Sequence, residues 1–396
     1  MKATVLVTDG EQRAALAVVR SLGRAGLRPV VCSTSGRSLA GRSRYAAVEV
    51  AVPDPLREPG SFADAVAQAA RREQAALVLP IAEPAMLAIL AARDTLLPAR
   101  VPFPSLETFR RVSDKALLMQ VAPEVGIRVP TQWTATSPAS AEAILAEGPR
   151  FPLVLKPSRS VGEGAAGRQK LSVRYAAAAP ELQAGLAALP PAAFPVLVQE
   201  RIVGPGIGIF LLLWNGATQA IFAHRRIREK PPAGGVSVYR ESVPADPGLV
   251  GRSRALLERL GWDGVAMIEY KVDAATGEPY LMEINGRFWG SLQLAIDAGV
   301  DFPALLVSLA LGGHPAPVTT YRTGVRSRWW WGDVDSLLLR LRRSPASLAL
   351  PPGDRGRWHH LVEFLKLWRP GDRNEILRLE DPMPFFHETR EWLHGR

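Results

Sequence analysis

Val265-Ala266-Met267-Ile268-Glu269-Tyr270-Lys271-Val272-Asp273 and Pro279-Tyr280-Leu281-Met282-Glu283-Ile284-Asn285-Gly286-Arg287 are two strand-like runs separated by Ala274–Glu278, a short turn containing Gly277. The pattern predicts a β-hairpin. Pairing Asp273 with Pro279 places Glu269 opposite Glu283 and Met267 opposite Asn285. Because side chains alternate along a strand, Ala266, Ile268, Tyr270, Met282 and Ile284 fall on one apolar face. The other face carries Glu269, Lys271, Glu283, Asn285 and Arg287, interleaved with Val265, Met267 and Leu281. Carboxylates placed directly opposite one another repel. Two carboxylates and an amide oxygen meeting at one spot suit a hard cation such as Mg²⁺, which shares its oxygen ligands with substrate phosphates. A solvated hairpin face is the alternative reading, against which the interleaved apolar residues indicate that something covers this face.

Upstream of the hairpin, Phe151-Pro152-Leu153-Val154-Leu155-Lys156-Pro157 reads as a strand ending in lysine, followed by the small-residue loop Ser158–Gly167. Gly162, Gly164 and Gly167 match G-x-G-x-x-G in form, but Lys170–Arg174 reads as a strand, and a dinucleotide fingerprint must open a helix. Strand, loop, strand is either a plain flexible hairpin or a flap whose backbone N–H groups approach phosphates closely. No G-x-x-x-x-G-K-[ST] occurs, which excludes a P-loop. Lys115 falls on a helix expected from an N-cap at Ser105 to about Val121. A helical lysine is ordinarily solvated. Lysines are scarce here, however, seven against 41 arginines, and a compact point charge suits phosphate oxygens.

The first hundred residues alternate strand and helix: Thr4–Thr8, Glu11–Ala25, Arg28–Ser33, Ser61–Arg72, Ala76–Ile81 and Met86–Ala92. This order predicts a doubly wound parallel sheet. The residues after the first strand, Asp9-Gly10-Glu11-Gln12-Arg13, carry no dinucleotide fingerprint. From Phe151 onward strands dominate, interrupted by helices at Pro180–Ala188 and Leu249–Leu260.

Taken in order, Lys115, Leu155-Lys156-Pro157, the glycine loop, Gln199-Glu200-Arg201-Ile202-Val203-Gly204, Glu269 and Glu283-Ile284-Asn285-Gly286-Arg287 resemble the ATP-grasp superfamily. Within it, the set is most similar to the carbamoyl-phosphate-synthase-like carboxylate–amine ligases, over roughly residues 1 to 314. The resemblance implies an α/β plus α+β fold: a Rossmann-like N-terminal domain (1–104), two ATP-grasp subdomains (105–198 and 199–314) and a C-terminal extension (315–396). It implies that Lys115 and Lys156 contact the nucleotide phosphates beneath Gly162 and Gly164, and that Glu200, Arg201, Ile202 and Val203 form the hinge strand holding adenine. It further implies that Glu269, Glu283 and Asn285 hold Mg²⁺, as two ions bridged by Glu283 and with Mn²⁺ as a substitute, and that Arg287 steadies the acyl phosphate or the substrate carboxylate. One departure concerns the ribose: Gly204-Pro205-Gly206-Ile207-Gly208 stands where family members often place an acidic residue. The implied activity is an ATP-dependent ligase that forms an acyl phosphate from a carboxylate and joins it to an amine. A non-catalytic ATP-binding or scaffold protein retaining the fold is the alternative.

On the substrate side, Arg226 joins Arg287 as a catalytic candidate, with Ser237 and Arg240 as weaker substrate contacts in the stretch 224–240; a solvated basic loop is the competing reading. Trp329-Trp330-Trp331 and the helix-like Val334–Arg343 read either as a helix packed on the core or as a peripheral membrane contact. Cys32, the sole cysteine, is expected to be a buried apolar residue.

The bulk numbers constrain the remaining classes. At 396 residues, 47% hydrophobic and 22% charged, the chain has an ordinary globular balance and length for two or three domains. No apolar run reads as a spanning helix or a signal core, so the chain is expected to be cytoplasmic, and a homodimer is compatible with this. The net charge of +10 is spread along the chain, whereas a nucleic-acid binder more often concentrates it; ATP and carboxylates are anions too, so charge alone does not choose between them, and no nucleic-acid partner is expected.

Overall fold

A computed structural model describes residues 2–164, 167–350, 353–366, 369 and 371–395. The chain opens with a four-stranded parallel sheet, in the spatial order Val48–Ala51, Arg28–Ser33, Thr4–Val7, Ala75–Leu79. Thr4–Val7 is buried at every position, as an apolar run inside a doubly covered parallel sheet must be. Helices Arg13–Arg24 and Pro59–Arg72 cover it, each burying an Ala- and Val-rich face. Val48–Ala51 went unpredicted because this edge strand is short and only half-buried, so it carries no continuous apolar run.

The expected helix from Ser105 to Val121 is two helices. Ser105 caps the first, Leu106–Ser113, accepting from the Thr108 N–H at 3.1 Å. Asp114 then adopts extended backbone and caps the second, Lys115–Val121, its Oδ1 accepting from the N–H groups of Ala116 and Leu117. An aspartate offering its carboxylate to free N–H groups competes with helix continuation, and here it wins. The break makes Lys115 the first residue of a new helix rather than a mid-helix residue.

Two further sheets follow. The smaller is antiparallel, ordered Gln132–Ala135, Val196–Glu200, Leu153–Pro157, Arg174–Ala176, and it encloses a compact core of its own around Leu155, Leu182 and Val198. The larger has seven strands: Pro279–Asn285, Gly264–Val272, Gly206–Trp214, Ala217–Lys230, Val236–Ser242, Arg326–Arg328 and Asp372–Asn374. Its last two strands come from beyond residue 314, where no strand was expected. One continuous apolar core runs from the parallel sheet through this large sheet to Ile376. Helix Trp330–Arg342 packs against strand Ala217–Lys230, as the packed-helix reading of this segment required. The glycine loop is a separate hairpin, Val161–Gly164 with Gly167–Lys170, and the strand expected over Lys170–Arg174 is interrupted at 171–173. The tip of that loop, Ala165-Ala166, lies outside the described residues.

Among the described residues no single helix is long and apolar enough to cross a membrane. Cys32 is fully buried, as expected.

Candidate active site

The hairpin that opened the sequence reading forms one wall of a deep cleft. Glu269 pairs with Glu283 and Met267 with Asn285, as the alternation required. At the turn the expected register fails: Val272, not Asp273, faces Pro279, and a bulge between Glu269 and Tyr270 absorbs the one-residue slip. A bulge reverses the alternation of the extra residue. Met282, assigned to the apolar face, therefore points into the cleft, where its Sδ lies 3.5 Å from Lys156 Nζ. Leu281, assigned to the polar face, is fully buried and pairs with Tyr270.

Lys115, at the start of its helix, and Lys156, on a strand of the smaller sheet, meet this wall. Lys115 is buried; its Nζ is 3.3 Å from Glu283 Oε2 and donates to Ser160 Oγ at 3.2 Å. Its backbone N–H donates to the carbonyl of Ser158, which ties the new helix to the end of the Lys156 strand. Burial lowers the Lys156 ammonium to about 8 although Glu283 pulls it upward. Burial also pushes the Glu283 carboxyl up, but Lys115, the Asn285 amide and Lys156 outweigh it and hold the group at about 2. Glu283 keeps 32% of its side chain open to the cleft. Asn285 Nδ2 donates to Glu283 Oε1 at 3.1 Å, and Arg287 Nη2 donates to Asn285 Oδ1 at 3.0 Å. Glu283, Asn285 and Arg287 thus form one continuous polar chain along the strand.

Glu269 stands directly across from Glu283, and Arg226 engages its Oε2. Arg226 Nη1 also donates to Glu229 at 2.8 Å. Burial alone would lower the Arg226 guanidinium; Glu269 and Glu229 hold it above its ordinary value. Burial, with Glu283 and Glu229 adding, raises the Glu269 carboxyl despite Arg226. A charge so fully compensated is suited to holding Glu269 in place rather than to meeting a ligand. The glycine-rich departure after residue 203 has a reason here: a Cβ on Gly206 would sit 2.8 Å from Arg226 Cδ, so glycine leaves room for the arginine stem to cross the strand.

Glu200, Arg201 and Ile202 line the same cleft, with Val154 and Gln199. Val203 does not; its carbonyl accepts from the Ala274 N–H at 2.8 Å, which locks this segment onto the Glu269–Glu283 hairpin. Glu200 is anchored by Arg150 at 2.6 Å. Gly162 stands on its hairpin outside the cleft lining, and a Cβ on it would meet the Ala192 carbonyl oxygen at 2.8 Å; Gly164 ends the same strand. Ser237 lines the cleft as expected. Arg240 does not. It is fully buried, engages Glu375 and donates to the Ser237 carbonyl at 2.8 Å, so it ties the C-terminal segment to the sheet.

His224, Met282 and Arg13 are among the cleft residues that the sequence did not announce. His224 precedes Arg226 by two positions on one strand, so it shares its face, and that alternation was a usable signal. Burial first, then the charges of Arg226 and Arg240, keep its imidazole well below the ordinary value, and its Nδ1 lies 3.3 Å from Ser291 Oγ. Met282 required the bulge. Arg13 required the tertiary structure, because nothing local connects it to residues some 270 positions away.

Two carboxylates and one amide fall short of the six oxygens a magnesium ion takes, so the donor set fits a cation that completes its shell with phosphate oxygens and water. The opposed pair Glu269–Glu283, otherwise a like-charge contact, gives that fit its physical motive.

A family model described as "ATP-grasp in the biosynthetic pathway with Ter operon" matches residues 193–331. No curated protein sequence matches the chain. Among solved structures, the chain is similar to an L-amino acid ligase from Bacillus licheniformis, with 18% identity, coverage of 78% of this chain and 74% of that one, and a TM-score of 0.60. It is similar to an N5-carboxyaminoimidazole synthetase from Staphylococcus aureus complexed with ADP, with 14% identity, coverage of 82% of each chain and a TM-score of 0.62. It is also similar to the biotin carboxylase domain of 2-oxoglutarate carboxylase from Hydrogenobacter thermophilus, in complex with MgADP, ADP and bicarbonate, with 15% identity, coverage of 82% and 73%, and a TM-score of 0.63. These likenesses show a mixed α/β ATP-grasp fold.

Proposed function

We propose that the chain is an ATP-grasp enzyme, an ATP-dependent ligase that activates a small carboxylate as an acyl phosphate and passes the acyl group to an amine. The observation that carries the reading is Glu283, held between Lys115 and Lys156, across from Glu269 and beside Asn285 and Arg287, all in one cleft. In this reading segments 105–198 and 199–314 close on the nucleotide from two sides, with Glu200, Arg201 and Ile202 beside the adenine. The parallel sheet of residues 1–104, with 315–396, walls the substrate end.

Phosphoryl transfer asks a protein mainly for positioning and charge neutralisation. Lys115 and Lys156 supply positive charge to the triphosphate oxygens from a wall that excludes water. Glu269, Glu283 and Asn285 would hold Mg²⁺, which when bound neutralises phosphate charge. Arg226 keeps Glu269 facing Glu283. Arg287 offers its guanidinium to the substrate carboxylate and then to the acyl phosphate. A carboxylate oxygen attacks the γ-phosphorus, the bond to the β-phosphate oxygen breaks and ADP leaves; the amine then attacks the acyl carbon, phosphate departs and the amine loses a proton.

The test is ADP release by purified protein with ATP and Mg²⁺ against a panel of carboxylates and amines. Glu283→Gln keeps the shape and removes the charge, and is expected to lower substrate-dependent ADP release by about 10²- to 10³-fold with an unchanged circular dichroism spectrum. Near-normal turnover of that variant refutes the assigned role. Tight ATP binding with no ADP release on any acid–amine pair favours instead a non-catalytic nucleotide-binding protein.

A further inference from the structure

The end of the cleft away from Lys156 is built by the two chain termini together. Arg13 opens helix Arg13–Arg24 and lines the cleft with only 11% of its side chain exposed. Three contacts fix it. Its guanidinium lies 3.8 Å over the Trp329 ring. Its Nη1 donates to Glu375 Oε2 at 2.6 Å. Its Nη2 lies so close to Gly290 that a Cβ there would sit 3.0 Å from it. Glycine at 290 therefore leaves room for the guanidinium beside the backbone just beyond Arg287-Phe288-Trp289.

The charge at this wall does not balance. The same Glu375 oxygen also takes Arg240, so two buried or nearly buried guanidiniums share one carboxylate. The other nearby acid, Glu388, is bonded by Trp329 Nε1 at 2.7 Å, and burial pushes its carboxyl up to about 7, so it supplies only part of a charge. Arg226, by contrast, is fully matched by Glu229 and Glu269. Around Arg13 the cleft also presents buried polar atoms without a protein partner among the described residues: Ser237 Oγ, His224 Nε2 and Trp289 Nε1. An excess positive charge beside neutral hydrogen-bonding groups and an indole wall is a recognition site for a small anion with a polar body. Arg287, which bonds to Asn285 and to the Phe288 carbonyl and to no carboxylate among the described residues, marks a different anion position, next to the reacting groups.

We propose that Arg13, clamped by Glu375 and Trp329, binds a second carboxylate, distinct from the one that is activated beside Arg287, and so restricts the ligase to substrates that carry one. That second carboxylate belongs either to the acid, which would then be a dicarboxylate, or to the amine, which would then be an α-amino acid. Arg13 acts as a specificity-determining residue in either case. The proposal deepens the ligase reading and rests on it for the order of events, but its test is binding and needs no turnover.

Calorimetry of the full chain with a non-hydrolysable ATP analogue and Mg²⁺ compares two matched pairs: glutarate with butyrate, and L-alanine with ethylamine. Wild type is expected to prefer the member with the additional carboxylate in at least one pair, and which pair shows the preference identifies the source. Arg13→Gln is expected to weaken that ligand by about 10- to 100-fold, the worth of one buried charge-assisted contact, while the nucleotide analogue binds as in wild type. Arg13→Lys is expected to recover part of the preference, which a merely structural arginine would not produce. Wild-type binding of neither glutarate nor L-alanine, or an equal loss for both members of the preferred pair in Arg13→Gln, overturns the proposal. ADP release that continues without any Arg13-dependent selectivity sinks this inference alone; Arg13-dependent binding without ADP release on any pair sinks the ligase reading alone.

Discussion

Lys156 is the lysine whose chemistry is most exposed to pH. It sits on a strand between two packed layers with its ammonium against Met282 Sδ, and burial lowers it to about 8. A lysine serves a triphosphate only when charged. Below pH 8 the competent form dominates, and as pH rises through 8 it is lost, so nucleotide affinity falls with rising pH. The apparent Kd scales with the inverse of the competent fraction, about nine-tenths at pH 7 and about one-tenth at pH 9, which is about a tenfold weakening across that interval. The assay is fluorescent-nucleotide titration with Mg²⁺ from pH 6.5 to 9.5. Lys156→Met has no charge to lose: its affinity is expected to be lower throughout and flat across the same range. A flat wild-type profile to pH 9.5, or an unchanged slope in Lys156→Met, would refute the reasoning.

Glu388 makes a pH prediction for stability, in the same direction. Its carboxyl, raised to about 7, keeps its proton in the folded chain where the unfolded chain has lost it, so stability declines as pH rises from the ordinary glutamate value through 7. The decline is of order 2–3 kcal/mol, and Glu388→Gln is expected to remove it in urea unfolding compared at pH 5 and pH 8; parallel pH dependence in the two proteins would contradict this. Asp381 is almost fully buried, pairs with the equally buried Arg20 at 2.8 Å and accepts from Ser43 and the Arg44 N–H. Asp381→Ala leaves Arg20 buried without its partner and is expected to cost about 3–5 kcal/mol. A loss below about 1 kcal/mol in the same unfolding assay would show that the C-terminal segment is not pinned there.

Local chemistry alone was enough for the opposed Glu269–Glu283 pair and the strand that bears Lys156. Glu269 and Glu283 faced each other from alternation alone, since a period of two leaves a strand face little freedom once one side must be apolar. The strand ending in Lys156 was legible because an apolar run stops abruptly at a charge and a proline. What local pattern could not reveal were decisions made between distant parts. The bulge that turns Met282 toward Lys156 depends on how the turn at Val272–Pro279 closes, and the helix break at Asp114 depends on a cap outcompeting one more helical turn. The two added strands at Arg326–Arg328 and Asp372–Asn374 are too short to announce themselves, and they exist because an unpaired sheet edge beside Val236–Ser242 takes them up. Arg240, read as a substrate contact, became a buried clamp, while Arg13, passed over in the sequence, entered the cleft. Both outcomes turn on Glu375, whose position no neighbouring residue encodes. Short-range alternation and capping therefore determined which side chains could act together within one hairpin or helix. Only the packing of both chain ends against the large sheet decided which charges stay unmatched, because charge balance in a buried wall is a sum over all the segments that meet there.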